Sequence, residues 1–179
     1  MRVRDHIALS TASAAMIGPW VGRGALGFWA GSVLIDADHY VWFALRRQRL
    51  NPLAAVRFFN EPHPPQHAAT RVLHSPVVLL AVLLLGSRHR RLLPVALGMG
   101  LHVALDEHHE ARMAKARAAA LRRDGYSCQA CGAREPRVVT HIRHQPWLLP
   151  SYATQNLVSL CSRCHEIAHG RGTGAASWI

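Results

Sequence analysis

Two Cys-x-x-Cys pairs constrain this chain more than any other feature. Cys128 and Cys131 form the first pair, Cys161 and Cys164 form the second, and 29 residues separate the two pairs. Two such pairs can converge on one tetrahedral Zn²⁺ through four thiolates. A segment of about 55 residues buries too little apolar surface to be comfortably stable alone, so the ion would supply much of its folding free energy. We predict a structural zinc site, with a redox pair or two unrelated pairs as alternatives.

The cysteines lie in the more basic part of the chain. Residues 111–179 hold 10 basic and 3 acidic residues, whereas residues 1–110 hold 11 basic and 7 acidic ones. The net charge of the 179 residues is +11. This excess favours a polyanionic partner, either nucleic acid or an anionic membrane surface, and it disfavours basic substrates. With 50% hydrophobic residues, the chain is too apolar to be a disordered tail.

Further polar residues surround the cysteines that a structural zinc knuckle does not need. Residues 138–142 are mostly β-branched and predict a strand that carries His141. His165 and His169 are four residues apart, so on a helix they share one face and can hold a second cation. Asn156 lies between these two groups in the sequence.

Three segments of this region carry a family pattern. They read Arg-Asp-Gly-Tyr-Ser-Cys-x-x-Cys-Gly, then Thr-His-Ile, then Asn-Leu-Val-Ser-Leu-Cys-x-x-Cys-His-x-x-x-His. Residues 121–171 thereby resemble the cysteine-containing HNH endonucleases. The resemblance implies a small α+β domain with a ββα-metal core that hydrolyses DNA phosphodiester bonds with one divalent ion, Mg²⁺, Mn²⁺, Ni²⁺ or Zn²⁺.

The same resemblance implies roles for individual residues. His141 matches the general base, and Asn156 matches the residue that holds the hairpin loop and orients this base. His165 matches a ligand of the catalytic ion, and His169 matches an additional ligand. The arginines expected to hold DNA phosphates without reading sequence are Arg122, Arg123, Arg137, Arg143, Arg163 and Arg171.

One position departs from the family pattern. The residue before the base is usually Asp or His and ligates the ion, but here it is Thr140. Three interpretations stay open. The two histidines hold the ion together with phosphate and water, or His144 replaces the missing ligand, or the domain is a zinc-stabilised module that binds nucleic acid without cutting it.

The first part of the chain is apolar and predicted to be helical. Its long apolar stretches are Ala25–Leu45, Ser75–Gly86 and Leu92–Leu105. Basic clusters at residues 46–49 and 88–91 suit cytoplasmic loops that flank membrane segments. We therefore predict a membrane-associated helical domain at the inner membrane, with the nuclease domain in the cytoplasm. A helical bundle with solvated basic turns, in a cytoplasmic protein, is the alternative.

Carboxylates and imidazoles interrupt these apolar stretches, where they are costly unless they are paired or bind metal. The candidate ligands, with His6 beside them, are Asp36, Asp38, His39, His74, His102 and Asp106. Such donors could hold one or two Zn²⁺ or Mn²⁺ ions. His6 and the motifs Asp-x-Asp-His, Leu-His-Ser and His-x-x-x-Asp over residues 1–110 are similar to the membrane-bound metal-dependent hydrolases of the LexA-binding inner-membrane type. That similarity implies a metal site in a helical membrane domain. A further alternative places the main activity at this site, as a hydrolase of a membrane or phosphoester substrate. Ordinary core histidines with hydrogen-bond partners are the alternative.

The expected organisation follows from these patterns. We predict a helical domain over residues 1–110, a connecting helix over 111–124, the nuclease domain over 125–171 and a loose tail over 172–179. The proline-rich stretch 51–70 predicts an irregular connection. The helix-forming composition from Asp106 to Arg123 predicts a helix that stops at Asp124-Gly125.

Overall fold

The computed structural model describes residues 1–59, 71–134, 138–144 and 146–170. The described part of the chain is mainly helical, at 66%, with a two-stranded sheet near the C-terminus. The helices are α1 (Val3–Val21), α2 (Gly24–Leu34), α3 (Ala37–Arg47), α4 (Pro52–Phe59), α5 (Pro76–Arg88), α6 (Leu93–Arg123) and α7 (Ser162–Ala168), and the strands are β1 (Val139–Ile142) and β2 (Leu157–Leu160). The chain divides into two compact units, Met1–Glu107 and His108–Ile179, here called unit 1 and unit 2. The division falls inside α6.

Two helix boundaries in unit 1 follow directly from the sequence. The apolar stretch Ala25–Leu45 is broken at Ile35 and Asp36, so that α2 ends before the acidic motif and α3 begins within it. The Ser75 side chain accepts a hydrogen bond of 3.3 Å from the Val78 amide and caps α5, and Pro76 occupies the first helical position. These two boundaries place Asp36 directly before α3 and His74 directly before the cap of α5. Both residues belong to the candidate metal site of unit 1.

Helices α2 and α6 approach each other closely at two glycines. A Cβ atom built on Gly31 would collide with the Val95 carbonyl group, and one on Gly98 would collide with the Phe28 carbonyl group. Only hydrogen fits at both positions, so the two helix backbones pack directly against each other. The contact brings the start of α6 to the end of α2, where the Ser32 carbonyl lies.

Helix α6 is longer than the predicted connecting helix. It begins at Leu93 and runs for 31 residues, and its end at Arg123 confirms the predicted stop. Gly125 follows with a φ of +58°, a left-handed conformation that glycine adopts easily. The prediction of an irregular connection is wrong for residues 52–59, because Pro52 starts α4, and proline is tolerated in a first helical turn. Residues 60–70 lie outside the described part.

Unit 1 leaves many apolar side chains in contact with solvent. On α5, Val77 is 77% exposed, and Leu80 and Leu84 are also exposed. Within the described ranges, however, no helix is both long and apolar enough to cross a membrane.

Unit 2 contains the two strands and α7. The strands pair in antiparallel orientation, with Val139 opposite Leu160 and His141 opposite Val158, which confirms the predicted strand around His141. Every residue of β2 is buried. The last turns of α6 cover one apolar cluster, whose buried members are Met113, Ala116, Ala120 and Leu157. The other apolar cluster is built on the cysteines.

Candidate metal centres

The four cysteines of unit 2 meet at one point. Their sulfur atoms lie within 4.8 Å of one another, and the sulfur atoms of Cys131 and Cys161 are 3.8 Å apart. All four thiols are free, so no disulfide forms. The structure thus places four thiols where they can hold one metal ion, in the arrangement that structural zinc sites use.

Local backbone structure explains this convergence. The Gly132 amide donates to the Cys128 carbonyl at 2.8 Å, and Gly132 has a φ of +74°, which bends the first pair into a tight turn. The Gln129 amide donates to the Ser159 carbonyl at 2.9 Å and ties this turn to β2. Cys161 directly precedes α7, so the second pair starts that helix.

The thiols have unequal tendencies to ionise. Burial opposes ionisation of Cys128, but hydrogen bonds from the backbone at Cys161 and Cys131 lower the pKa of its thiol to about 6. Burial and the neighbouring thiols raise the pKa of Cys164 to about 12. Four thiolates so close together repel one another, and a divalent cation would remove this cost.

Three histidines form a second cluster in unit 2. His141 lies in β1, His165 in α7 and His169 directly after α7, and one nitrogen of each lies within 4.8 Å of the others. The Nε2 atoms of His165 and His169 are 3.3 Å apart. The exposure increases from buried His141 through His165 to exposed His169. This cluster can hold a cation while remaining open to solvent on one side.

Burial and the nearby His169 lower the pKa of His141, which favours its neutral form. Thr140 pairs with Ser159 and, as the neighbour of His141 in a strand, presents its side chain to the opposite face of the sheet. His144 is exposed and is not part of the histidine cluster. The cluster therefore consists of the three histidines without a ligand from Thr140 or His144.

Asn156 holds the chain that follows β1. Its side-chain oxygen accepts from the His144 amide at 2.8 Å, and its side-chain nitrogen donates to the His144 carbonyl at 2.6 Å. The Asn156 carbonyl also accepts from the Arg143 amide at 2.8 Å. These three hydrogen bonds fix the loop two residues after His141.

The six arginines differ in their surroundings. Arg122, Arg143 and Arg163 are exposed. The Arg123 guanidinium donates to the Asp124 carboxylate and to the carbonyls of Thr154 and Leu157, so its donors hold unit 2 together. Arg137 and Arg171 lie outside the described residues, as does the tail 172–179.

Unit 1 contains a third cluster, which four segments build. Its members come from α1, the junction of α2 and α3, the turn before α5, and α6, and they are His6, Asp36, Asp38, His39, His74, His102 and Asp106. All six residues predicted as ligands from the sequence are brought together. These residues form three sets in which the ligand atoms lie within 4.8 Å of one another.

The clustered imidazoles and carboxylates alternate in space. His6 Nε2 is 3.0 Å from an Asp106 oxygen, and its ring stacks on His102 with a centroid distance of 3.8 Å. His74 Nε2 is 3.3 Å from Asp36, and His74 Nδ1 is 3.4 Å from Asp38. His39 Nδ1 is 2.6 Å from Asp38. Each carboxylate therefore contacts at least one imidazole.

His102 provides the clearest sign of a missing partner. Its Nδ1 atom lies 2.8 Å from the Ser32 carbonyl, which can only accept, so Nδ1 carries the proton. In the neutral ring, the Nε2 atom then has a lone pair; it has no hydrogen-bond partner among the described residues, and the side chain is only 1% exposed. Buried polar atoms are rarely left without a partner, and a metal ion is one that would satisfy this lone pair.

Electrostatics within the cluster favour ionised carboxylates. Burial acts to raise the pKa of Asp36, but the hydrogen bond from His74 and the positive charge of nearby histidines hold this pKa below its usual value. Against the effect of burial, hydrogen bonds from His39 and His74 lower the pKa of Asp38, and interactions with His102, His6 and the N-terminal ammonium group lower the pKa of Asp106. Burial opposes protonation of His74, yet its two carboxylate neighbours raise its pKa to about 9. In the absence of a cation, a proton on His74 balances part of this negative charge.

Some members of this site had weak signals in the sequence or none. His6 precedes the next candidate ligand by 30 residues, so its spacing predicts nothing, and only its position in an apolar helix draws attention to it. The Ser32 carbonyl, which orients His102, is a backbone group without any sequence signal.

Comparison of the chain with known protein families, with curated proteins and with solved structures finds no match.

Proposed function

We propose that unit 2 is an endonuclease domain of the HNH type, which hydrolyses DNA phosphodiester bonds with one divalent ion. The observation that carries this proposal is the convergence of His141 from β1 with His165 and His169 from the end of α7, the helix that starts at the second cysteine pair. A purely structural zinc site requires the thiols alone, so the three imidazoles need a separate purpose.

The proposed roles follow from the contacts. His165 and His169 would hold the ion, which supplies charge stabilisation to the phosphate in the transition state. His141, kept neutral by burial and by His169, accepts a proton from the attacking water. Asn156 keeps the adjacent loop in place through His144 and is a positioning residue.

The surface of unit 2 supports DNA as the substrate. Residues 111–179 carry seven more basic than acidic side chains. Arg122, Arg143 and Arg163 are exposed and could contact phosphates, and Trp147 is 76% exposed in the loop between the strands.

Nicking of supercoiled plasmid by the full chain tests this function. We expect cleavage with at least one of Mg²⁺, Mn²⁺, Ni²⁺ and Zn²⁺, and its loss in His141→Ala at an unchanged zinc content. His108→Ala removes an exposed imidazole of unit 2 outside the cluster and should cleave normally. Asn156→Ala should cleave roughly 10–100-fold more slowly, as is usual when the group that orients a site residue is removed.

One outcome would contradict DNA cleavage by unit 2, and another would contradict the role of His141 in it. If the protein binds plasmid but leaves it intact with every ion, unit 2 is a nucleic-acid-binding module and the three histidines have another use. If His141→Ala cleaves as fast as the unmodified chain, the cutting activity does not depend on the proposed base. Loss of both the ion and cleavage in His141→Ala would instead make His141 a ligand.

We propose a second activity, metal-dependent hydrolysis, for unit 1. The specific observation is the buried His102 Nε2 atom, which has no hydrogen-bond partner in the described part of the chain and faces carboxylate oxygens of Asp36 at 3.5 Å and Asp106 at 3.6 Å. Imidazole and carboxylate are the donors that Zn²⁺ and Mn²⁺ accept, and the ion would polarise an ester or phosphoester substrate.

Hydrolysis of a chromogenic phosphodiester distinguishes the two activities. Asp36→Asn and His102→Gln should abolish hydrolysis in unit 1, and His141→Ala should leave it unchanged. Glu107→Gln changes an exposed carboxylate next to the cluster and serves as the control. Hydrolysis that survives both cluster substitutions would assign it to another site.

Association of unit 1 with the inner membrane stays a prediction, as does a cytoplasmic location for unit 2. The exposed apolar side chains of α5 and the exposed arginines at its end, Arg88, Arg90 and Arg91, support it. Flotation of the full chain with anionic lipid vesicles tests it, and recovery of all protein in the lipid-free fraction would contradict it.

A further inference from the structure

The unit 1 cluster contains more ligands than one ion can use. It holds four imidazoles and three carboxylates in three overlapping sets. The first set is His6, His102 and Asp106, the second is Asp36, His74 and His102, and the third is Asp38, His39 and His74. A four-coordinate ion with three protein ligands would use fewer than half of these donors.

Overlap at His102 limits how the sets can be filled. Its Nδ1 proton is directed to the Ser32 carbonyl, so the ring offers one lone pair, at Nε2, and can serve one ion. The first and second sets therefore compete for His102 and are not two separate sites. The first and third sets share no residue, so they can be filled together.

Asp36 lies between these two independent sets. One of its oxygens is 3.5 Å from His102 Nε2, in the first set, and 3.3 Å from His74 Nε2, in the third. The same oxygen is 3.9 Å from His39 Nδ1. Because this one oxygen faces both sets, Asp36 can be shared between two ions through it.

We propose that unit 1 binds a pair of divalent cations, one at His6, His102 and Asp106 and the other at Asp38, His39 and His74, with Asp36 shared between them. The proposal rests on the second proposed activity, since it concerns the same site. Each ion then receives two imidazoles and one carboxylate of its own, so the two halves of the centre have equal donor sets.

The charge of the cluster suits divalent cations. Three carboxylates give it a charge of −3 when its imidazoles are neutral, and the N-terminal ammonium group, 2.7 Å from an Asp106 oxygen, reduces this to −2. One divalent ion makes the cluster neutral and a second makes it positive by two units, which suits an anionic substrate. Pairs of ions held by carboxylates and imidazoles are typical of enzymes that act on phosphoesters, so we assign this substrate class to the centre.

Mn²⁺ titration of the full chain, followed by electron paramagnetic resonance, tests the pair. Zinc is first bound at the cysteines, where the harder Mn²⁺ competes poorly. Two Mn²⁺ ions that share a carboxylate are magnetically coupled and give a spectrum different from that of isolated Mn²⁺. We expect this coupled spectrum in the unmodified chain, which requires no variant to fold.

Substitutions then assign the coupling to the residues. Asp36→Asn should remove or strongly weaken the coupling, and Glu107→Gln should leave it unchanged. His102→Gln and His39→Gln should each lower the Mn²⁺ stoichiometry by one ion and leave an uncoupled spectrum. An ion at the unit 2 histidines adds an uncoupled signal that these substitutions do not affect.

Two results would overturn the proposal, and they differ in what else they exclude. A single uncoupled ion that is lost in His102→Gln refutes the pair but leaves metal-dependent hydrolysis by unit 1 intact. A stoichiometry that none of the unit 1 substitutions changes refutes both the pair and the second proposed activity.

Discussion

The clusters of the two units are built in opposite ways. In unit 2, all seven cysteine and histidine ligands come from residues 128–169, and short turns place them. In unit 1, the ligands extend from His6 to Asp106, and helix packing places them. A site made by local turns depends on its ion for stability, whereas a site made between packed helices depends on the helices. We therefore expect unit 2 to lose its folded structure when its zinc ion is removed, and unit 1 to lose stability when its helix packing is disturbed.

Removal of zinc is expected to have the largest effect. The thiols form the centre of one of the two apolar clusters of unit 2, so Cys161→Ser or a strong chelator should unfold this unit. Structural zinc contributes on the order of 10–16 kcal/mol in small zinc domains. Hydrogen exchange should show loss of protection in β1 and β2, and protection of α2 should persist.

Ala130→Ser, an exposed change in the first cysteine turn, is the matched control and should keep zinc and protection. Strands that stay protected in Cys161→Ser would mean that unit 2, like unit 1, is held by packing alone.

The converse experiment disturbs the packing of unit 1. Gly31→Ala places a methyl group against the Val95 carbonyl group, and we expect a loss of roughly 1–3 kcal/mol or more in the free energy of unfolding. Thermal unfolding of the chain measures this loss. Because α6 carries His102, the affinity of unit 1 for Mn²⁺ should fall as well.

Gly100→Ala is the control for this change, because a Cβ atom there meets no atom within 4 Å. It should be neutral or stabilise α6 by a few tenths of a kcal/mol up to about 1 kcal/mol. Equal effects of the two substitutions would contradict direct packing of the helix backbones.

The pH dependence of the metal-free chain should sharpen the comparison further. The folded-state pKa of His74 is raised to about 9 by Asp36 and Asp38, so its proton stabilises unit 1 fully below pH 6.5. This stability is lost as the pH rises through 9, and we expect a decrease of about 1–3 kcal/mol in the free energy of unfolding.

Urea unfolding at pH 6.5 and pH 9, followed at α2 and α3, measures this change. Saturating Mn²⁺ should remove the decrease, because an ion replaces the proton as the partner of the carboxylates. In metal-free His74→Gln, the free energy of unfolding should not decrease between pH 6.5 and pH 9. A decrease of the same size in that variant would assign it to another group.

The cap of α5 should give the smallest effect. Ser75→Ala removes the acceptor of the Val78 amide, and we expect a loss of about 1 kcal/mol. Ser87→Ala, at the exposed end of the same helix, is the control and should be nearly neutral. Thermal unfolding compares the two, and equal shifts would mean that the Ser75 side chain does not stabilise α5 as a cap.

The two sites also differ in how far the sequence predicted them. The spacing of the cysteine pairs predicted the four-thiol cluster. The interval of four residues between His165 and His169 predicted that these two side chains lie close together, because it corresponds to one turn of helix. The motifs around Asp36, His74 and His102 predicted a shared site but not its geometry. The 65 residues between Asp36 and His102 can fold back in many ways, and the close contacts of Gly31 and Gly98 with the opposing carbonyls help to select one of them.

One error has a local cause. The prolines of residues 51–70 suggested an irregular segment throughout, but Pro52 occupies a helical position where its missing amide costs nothing. Membrane association, which the basic clusters beside the apolar stretches favoured, stays a prediction, and no helix within the described ranges is long and apolar enough to cross a membrane.

The sequence by itself determined the features that depend on short intervals: the two cysteine pairs, the strand that carries His141, the cap at Ser75 and the end of α6 at Arg123. Their geometry is set by hydrogen bonds within a few residues. Only the tertiary structure decided that His6 contacts Asp106 and stacks on His102, that the Ser32 carbonyl fixes the tautomer of His102, and that Asp36 lies between two sets of ligands. These relations join residues far apart in the chain, and close packing of helices, which no local pattern encodes, brings them together.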